Sequence, residues 1–433
     1  LYNLQQLVAA AWKGAGGMVR LSAVLMALLV WLTAMAAGDT MTGTPNDRVR
    51  SLRIVNPLDP YGPAVLRLGS GDVLAINFDV LSEDRDYLRY RLVHCRADWS
   101  PSTLVDSEFL DGFNEGEITD YRFSEATLVH YVNYNLTIPN ADVAPLLSGN
   151  YLLQIYPESD PDDVWAQCRF MVCEEKVGIS GNVMSRTDVD YNAGHQQLEL
   201  RIDTRESGVA DPFNDLFVVV QQNGRLDNEV ALRQPLRMSG TTLIYEHQPQ
   251  LLFEAGNEYR RMETVSTQFP PMGVESVEFI NPYYYHILAT DEPRAGSQYL
   301  YDETQKGRFV IHEYNSSDPD VQADYTVVVF SLDMPYDPDT MVFLDGDFTM
   351  RRFDENSRMQ YNRERGRYER VMLLKQGAYN YQYLTVPRGA RRGYTAAVEG
   401  DKYQTLNEYT VKVYERKPGS RNDRLLGVAL LRF

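Results

Sequence analysis

Closely spaced carboxylates are the most frequent candidates for catalysis in this sequence. Two acids that lie across a cleft can act as general acid and as base or nucleophile in glycoside hydrolysis. Separation across a cleft cannot be inferred from spacing along the chain, and acidic pairs commonly occupy polar turns, so these pairs give little support for a hydrolase. The pairs are Asp84 with Asp86, Asp162 with Asp163, Asp188 with Asp190, and Asp345 with Asp347.

Other catalytic and metal-binding patterns do not occur in the sequence. The six histidines are far apart, and none forms an HxH or HExxH pattern. The GxSxG elbow of serine hydrolases is missing. Residues 318–324 resemble a calcium-ligand run but lack the glycine and the closing glutamate of an EF-hand loop. The sequence therefore predicts no catalytic residue, no metal ligand and no cofactor.

Three cysteines, Cys95, Cys168 and Cys173, are too few for a disulfide scaffold, and their number is odd. A bridge from Cys95 to either of the other two is one interpretation, and it requires neighbouring strands. Three buried free thiols are the other interpretation. The sequence leaves both open.

The first 37 residues differ in composition from the rest of the chain. They contain no Asp or Glu, and Arg20 precedes an apolar run at 21–32 that is followed by small residues up to Ala37. This is the arrangement of a secretory signal peptide, and the run is short for a transmembrane anchor. We expect residues 1–37 to comprise an over-extended start before Met18 and a cleaved signal peptide, so the mature chain would act outside the cytoplasm.

The chain is long and acidic, which excludes some partners. It has 433 residues and a formal net charge of −18, which becomes −20 (−18 − 2) if Lys13 and Arg20 are removed with the leader. A protein that neutralises phosphates needs a surplus of Lys and Arg, so general nucleic-acid binding is not expected. Attraction to an anionic membrane surface is not expected either.

Short runs with period-two alternation of apolar and polar residues fill most of the sequence, and turn-forming residues separate them. This pattern predicts β-strands. The only short helix that we expect lies around 142–147. Many short strands without intervening helices predict an all-β protein of tandem immunoglobulin-like β-sandwich domains. The clearest runs are 74–80, 87–93, 151–156, 198–202, 216–220, 325–330 and 409–414.

Turn-rich boundaries divide the expected mature chain into three β-sandwich domains, at 38–175, 176–315 and 316–433. The last resembles an early-set, glycogen-binding type of module in its residues 342–348 and 375–383. That resemblance supports an alternative function as a secreted carbohydrate-binding accessory protein. Such modules stack sugars on exposed tryptophan, and this chain has none after Trp165.

Aromatic residues in the loops of the first domain are the candidates for binding a partner. Exposed aromatic side chains on rigid loops are typical of protein interfaces. Packing inside the loops is the alternative for the same residues. The candidates are Trp99, Phe109, Phe113, Tyr131 and Tyr134.

A set of motifs in a fixed order resembles the plug protein family of the type IX secretion system of Bacteroidota, formerly a domain of unknown function. Each motif alone is weak, and the ordered set is more specific. The motifs are 94–99 (HCRADW), 110–113 (LDGF), 148–151 (SGNY), 221–223 (QQN), 256–260 (GNEYR), 323–325 (ADY) and 375–383 (KQGAYNYQY).

The resemblance implies a non-catalytic periplasmic protein that binds and seals the periplasmic opening of the giant outer-membrane translocon barrel. It implies the barrel protein as partner, with other secretion-system subunits as further candidates, and no direct insertion into the membrane. The implied location is the periplasm, at the outer membrane through the translocon.

Overall fold

The structure is a computed structural model that describes residues 39–433. The predicted signal peptide and the over-extended start lie outside the described residues. The chain divides into two units, Leu1–Met41 and Thr42–Phe433, and the second contains every strand named below. No helix in the described part has the length and apolar character that a membrane crossing requires.

Two facing sheets form the first sandwich, in the orders β1-β3-β8-β7 and β2-β11-β10-β4-β6, with a β5-β9 pair beside them. Alternation places Leu74, Ile76 and Phe78 of β3 in the shared core, where the Phe78 ring stacks on Tyr134 with centroids 5.3 Å apart. The elements are β1 (Val49–Val55), β2 (Val65–Arg67), β3 (Leu74–Val80), β4 (Leu88–Cys95), helix α1 (Asp106–Phe109), β5 (Leu110–Gly112), β6 (Gly116–Glu117), β7 (Asp120–Phe123), β8 (Val132–Ile138), β9 (Val143–Pro145), β10 (Gly149–Pro157) and β11 (Ala166–Cys173).

The next stretch of chain supplies most of a second sandwich. In one sheet β12, β13, β17 and β16 are neighbours in that order, and β18 also pairs with β13; β14 and β15 belong to the opposite sheet. The elements are β12 (Gly178–Met184), β13 (His195–Asp203), helix α2 (Pro212–Asp215), β14 (Leu216–Gln222), β15 (Val230–Leu232), β16 (Arg237–Ser239), β17 (Thr242–Tyr245), a 3-10 turn (Pro249–Leu251) and β18 (Leu252–Glu254).

A third sandwich follows, with sheets β20-β21-β23-β26-β25 and β19-β27-β22, the second extended by β24 on β27. Its core lies between Val328 and Phe330 of one sheet and Tyr381 and Tyr383 of the other. The elements are β19 (Arg260–Glu263), β20 (Val274–Ile280), β21 (Tyr283–Leu288), β22 (Phe309–Ile311), helix α3 (Pro319–Gln322), β23 (Tyr325–Leu332), β24 (Thr340–Asp345), a 3-10 turn (Asp347–Thr349), β25 (Gln360–Asn362), β26 (Arg367–Lys375) and β27 (Gly377–Pro387).

The last two strands, β28 (Glu408–Glu415) and β29 (Arg424–Arg432), return to the second sandwich. β28 lies antiparallel to β14, so the sheet order is β15-β14-β28-β29, and Val411 and Val413 enter the second core. The sheets therefore do not follow three consecutive segments. The predicted domain boundaries stay a prediction, in which 408–432 belongs with the third domain although its strands pair with the second sandwich.

Each alternating run that predicted a strand coincides with one, apart from Tyr87, which precedes β4 by one residue, and the all-β sandwich class is confirmed. The immunoglobulin-like and early-set details stay predictions. The helix predicted around 142–147 is wrong: Val143–Pro145 is strand β9, because its backbone pairs with Leu110–Gly112 and Val143 is buried in the core. All three cysteines are free and buried, which decides between the two interpretations.

Candidate partner interface

Four of the five aromatic residues predicted to bind a partner have their side chains inside the protein. Trp99, Phe109, Tyr131 and Tyr134 are all buried, whereas the side chain of Phe113 is 84% exposed. Their partner-binding role stays a prediction. In this conformation only Phe113 among them presents its ring to solvent, and the others join or fill sandwiches.

Trp99 belongs to the joint between the first and second sandwiches. It has a left-handed backbone (φ 65°), and the Arg169 guanidinium lies 4.4 Å from the centroid of its ring. The same apolar cluster contains Phe217 and Tyr414 of the second sandwich. The Tyr414 hydroxyl donates to Asn150 Oδ1 at 2.8 Å, which ties β28 to the start of β10.

His94 lies next to this joint and is buried against the rings of Phe109 and Tyr151. Burial lowers the pKa of its imidazole, and the hydrogen bond to the carbonyl of Ser148 acts in the opposite direction. A neutral ring in this position is a packing element and not a proton carrier.

A buried ion pair joins the first sandwich to the third. Lys375 Nζ donates to Asp79 Oδ2 at 2.7 Å, and both side chains are fully enclosed. The Tyr325 hydroxyl donates to the same carboxylate oxygen at 2.7 Å, and Asn133 Nδ2 donates to Asp79 Oδ1 at 2.8 Å. The ammonium also lies 4.1 Å from the centroid of the Tyr131 ring. A carboxylate out of water needs such partners for all its lone pairs.

Tyr131 closes this joint from the other side. Its hydroxyl donates to the carbonyl of Ala323 at 2.8 Å, and burial raises its pKa. Sequence reasoning missed Asp79 and Lys375 as a pair. The available signal was a lysine directly after the apolar run 371–374, since a charged residue that continues an apolar run needs a partner.

Two segments of the chain, 256–258 and 402–406, connect the second and third sandwiches and are hydrogen-bonded to each other. Glu258 is buried and accepts from the backbone N–H of Leu406 at 2.8 Å and from Lys306 Nζ at 3.2 Å. The N–H of Lys402 donates to the carbonyl of Gly256 at 2.7 Å. The motif at 256–260 therefore serves as an internal clamp.

Among the closely spaced carboxylates, Asp345 and Asp190 make structural contacts. Asp345 is buried and accepts from Arg351 Nη1 and Gln382 Nε2 at 2.9 and 2.8 Å. Asp190 accepts from His195 Nδ1 at 2.7 Å beside a turn. Within residues 39–433 no group of three potential metal ligands comes together.

The three tyrosines of the motif at 375–383 offer no platform for a sugar. Tyr379, Tyr381 and Tyr383 are all at most 4% exposed, and their rings face the core. Stacking needs an open ring face, so the motif at 375–383 that suggested carbohydrate binding is a core strand.

The Phe113 loop is built to hold an exposed ring. Gly112 has φ +97°, and a Cβ there would lie 1.9 Å from the carbonyl oxygen of Asp142, so only glycine fits. The N–H of Phe113 donates to that same oxygen at 3.0 Å. Leu146 and Val105, near the other end of the β5-β9 pair, are also exposed. A fixed aromatic ring in solvent matches the anchor residues of protein interfaces.

A cavity of about 300 Å³ lies where the three sandwiches meet. Leu52 and Trp99 line it from the first sandwich, Gln221 and Thr410 from the second, and Phe309 from the third. Its cations already have partners; Arg308, for example, pairs with Glu408 at 2.9 Å. The cavity is a solvent pocket at a three-way joint, without a set of groups aimed at one ligand.

Comparison with known proteins gives a family match to the first sandwich. The family model "Type 9 secretion system plug protein 1st domain" matches residues 49–174, which begin at β1 and end one residue after β11. No curated protein matches the sequence.

A crystal structure of a hypothetical protein from Parabacteroides merdae ATCC 43184 is similar over nearly its whole length. The identity is 40% and the TM-score 0.89, with 91% of this chain and 99% of that chain covered. An alkylpurine DNA glycosylase from Pseudomonas fluorescens gives 7% identity, a TM-score of 0.16 and coverages of 39% and 42%. The partial N-terminal region of an enterococcal surface protein gives 8% identity and a TM-score of 0.18, with 90% of this chain and 97% of that chain covered. The last two carry no argument about the fold.

The family match falls on the sandwich that holds the first three motifs of the ordered set, and the 40% identical relative extends the likeness through the other two sandwiches. The chain therefore belongs to the type 9 secretion system plug protein family.

Proposed function

We propose that this protein binds the periplasmic mouth of the outer-membrane translocon barrel of the type IX secretion system and closes it while no substrate passes. The observation that carries the proposal is that Thr42–Phe433 is one compact unit, in which buried polar groups fix three sandwiches to one another. The role is mechanical and involves no catalysis.

The physical requirement is rigidity on the scale of a protein-sized pore. A compact chain of this length has a radius of gyration of about 21 Å, on the order of 50 Å across. Flexible linkers would let a seal deform and leak, whereas charged groups buried in a joint resist opening because an unpaired buried charge is costly. Trp99, Glu258 and Lys375, which lie in the joints between sandwiches, all belong to the motifs that resemble the family. Their presence in those motifs is consistent with a functional requirement for a rigid protein.

The cysteines are compatible with an oxidising compartment such as the periplasm. Thiolates are the reactive form, and burial raises the pKa of Cys95 and Cys168 to about 12 and that of Cys173 to about 11. An enclosed, protonated thiol does not form chance disulfides.

Contact with the barrel is proposed to involve the exposed ring of Phe113. Reversible protein interfaces combine a few aromatic anchors with a polar rim. Asp111, Glu115 and Glu117 surround the loop, so its rim is polar.

Capture of the barrel tests the function. Tagged protein is expressed in a strain that lacks the chromosomal copy, the envelope is solubilised in detergent, and the captured barrel is quantified. We expect wild-type protein and Leu58→Asp to retain the barrel and Phe113→Asp to lose most of it. Leu58 is the matched control because it is a 76% exposed apolar residue of the same sandwich. Retention on polysaccharide resin without any barrel would refute the proposal.

Permeability tests the sealing itself. A deletion strain is expected to admit a large antibiotic such as vancomycin, and wild-type protein is expected to restore exclusion. Unchanged permeability in the deletion strain would contradict sealing even if the barrel is captured.

A further inference from the structure

One face of the sheet β20-β21-β23-β26-β25 is apolar although it points away from the third core. Val328 and Phe330 of β23 face the core, so their neighbour Val329 points to the opposite side. Paired residues share a face, and the strand register extends that side across the sheet. We call it the outer face. Its apolar members include Ile280, Tyr285, Ile287, Val329, Val371 and Leu373.

The outer face is continuous with an internal joint. At one end Tyr325 pairs with Lys375, and the first sandwich covers both through Asp79. The next two rows contain Leu373 and then Val371, which is 53% exposed, and Ile280 on the edge strand β20 is 50% exposed. Apolar rows that begin in an interface and continue into solvent mark an interface that another molecule completes.

Charge around the outer face indicates what that molecule carries. Glu275 and Glu278 of the edge strand β20 are exposed, and neither has an ion-pair partner within residues 39–433. Glu278 lies opposite Tyr285 and accepts from Ser276 Oγ at 3.4 Å. With a net charge of −18 the chain as a whole also favours a basic partner.

The pleated face and its free edge favour an extended ligand. β20 has a strand on one side only, so its outward backbone groups are open to an added chain. Alternate side chains of an added strand would point to the outer face beside Ile280.

We propose that the outer face binds an extended segment of the translocon barrel that carries apolar side chains flanked by lysine or arginine. The inference rests on the proposed function and adds to it a contact remote in sequence from Phe113. The occupant is a protein segment, because alternating apolar and basic side chains satisfy both the rows and the acidic edge.

Binding of four variants to barrel protein purified from detergent-solubilised outer membranes tests the inference. Val371→Asp places a charge in the apolar row, and Val310→Asp is its control, since Val310 is an exposed valine on a strand of the other sheet of this sandwich. Glu278→Lys reverses the edge charge, and Glu206→Lys makes the same change on an exposed turn of the second sandwich. Thermal melts monitor folding.

We expect Val371→Asp to weaken binding at least about tenfold, as for an anchor residue of an interface. Glu278→Lys is expected to weaken it several-fold, with a larger effect at low salt, and both controls are expected to change it less than about twofold. If the Val371→Asp protein unfolds, barrel binding by Glu278→Lys, a substitution at an exposed position, tests the inference by itself.

Two results would overturn the inference while leaving the proposed function intact. One is wild-type binding that Val371→Asp and Val310→Asp affect equally, and the other is binding that Glu278→Lys strengthens. If wild-type protein does not bind the purified barrel at all, the proposed function fails and the inference fails with it.

Discussion

Replacement of Lys375 by methionine is expected to loosen the joint between the first and third sandwiches. Methionine keeps the length of the side chain and removes its charge, so the Asp79 carboxylate loses its cation. Two donors remain on the carboxylate, from Tyr325 at 2.7 Å and Asn133 at 2.8 Å. Removing one partner of a fully buried ion pair costs about 3–5 kcal/mol, because the other charge stays buried without compensation.

That cost can be translated into a melting temperature. An unfolding entropy of about 2.1 cal/mol/K per residue gives about 0.8 kcal/mol/K for Thr42–Phe433, so a loss of 3–5 kcal/mol lowers Tm by about 4–6 °C if the unit unfolds cooperatively. Urea titration monitored by tyrosine and tryptophan fluorescence measures the same loss as a shift of the midpoint at constant slope.

The matched variants are Asp79→Asn and the double variant Asp79→Asn/Lys375→Met. We expect the double variant to be more stable than Lys375→Met alone, because an amide in place of the carboxylate leaves no buried charge. A Lys375→Met protein within about 1 kcal/mol of wild type would refute the argument, as would single effects that simply add in the double variant.

Further predictions concern the joints and the buried groups. Ellman's reagent at pH 8 is expected to find no reactive thiol in the folded protein and three in guanidinium. Burial raises the pKa of Cys173 to about 11, so the folded thiol keeps a proton that the unfolded chain loses. The free energy of unfolding should therefore fall as the pH rises above about 9. The pKa of His94 is lowered, so below pH of about 6.5 the unfolded chain gains a proton that the folded chain does not, and the protein loses stability on acidification. His94→Phe should flatten this pH dependence of the free energy of unfolding, measured by urea melts, by up to about 1.4 kcal/mol per pH unit. A pH dependence that His94→Phe leaves unchanged would contradict the assignment to His94. Tyr414→Phe should cost about 1–2 kcal/mol in a urea melt by leaving Asn150 Oδ1 without its donor, and no loss would show that water replaces the hydroxyl. Gly112→Ala should weaken barrel capture about as much as Phe113→Asp, since its Cβ displaces the loop, and full capture would contradict the argument that the loop must be rigid.

Local patterns predicted the strands well because a strand needs only alternation along a few residues. The run at 74–80 became β3 with its apolar positions in the core. The same reasoning failed around 142–147, where pairing with Leu110–Gly112 decided the conformation of Val143–Pro145. Such pairing joins residues more than thirty positions apart and leaves no local signature.

The loop aromatic residues show most clearly that local sequence patterns do not predict burial. Trp99, Tyr131 and Phe113 looked alike as loop aromatics, yet two are enclosed by other sandwiches and one is in solvent. Burial of a loop residue depends on what packs over it, and for Trp99 that is Phe217 and Tyr414, far along the chain.

The all-β class, the acidic character and, through the order of the motifs, the family resemblance can all be inferred from the amino-acid sequence. Each of these is carried by composition, by neighbouring residues or by motif order, so no contact has to be known. Only the packed chain shows that Trp99, Glu258 and Lys375 of these motifs lie in joints, that β28 completes the second sandwich against β14, and that Asp79 meets Lys375. These contacts join residues that are far apart in the sequence. The partner of a buried charge can therefore be identified only once the folded chain has brought the two residues together.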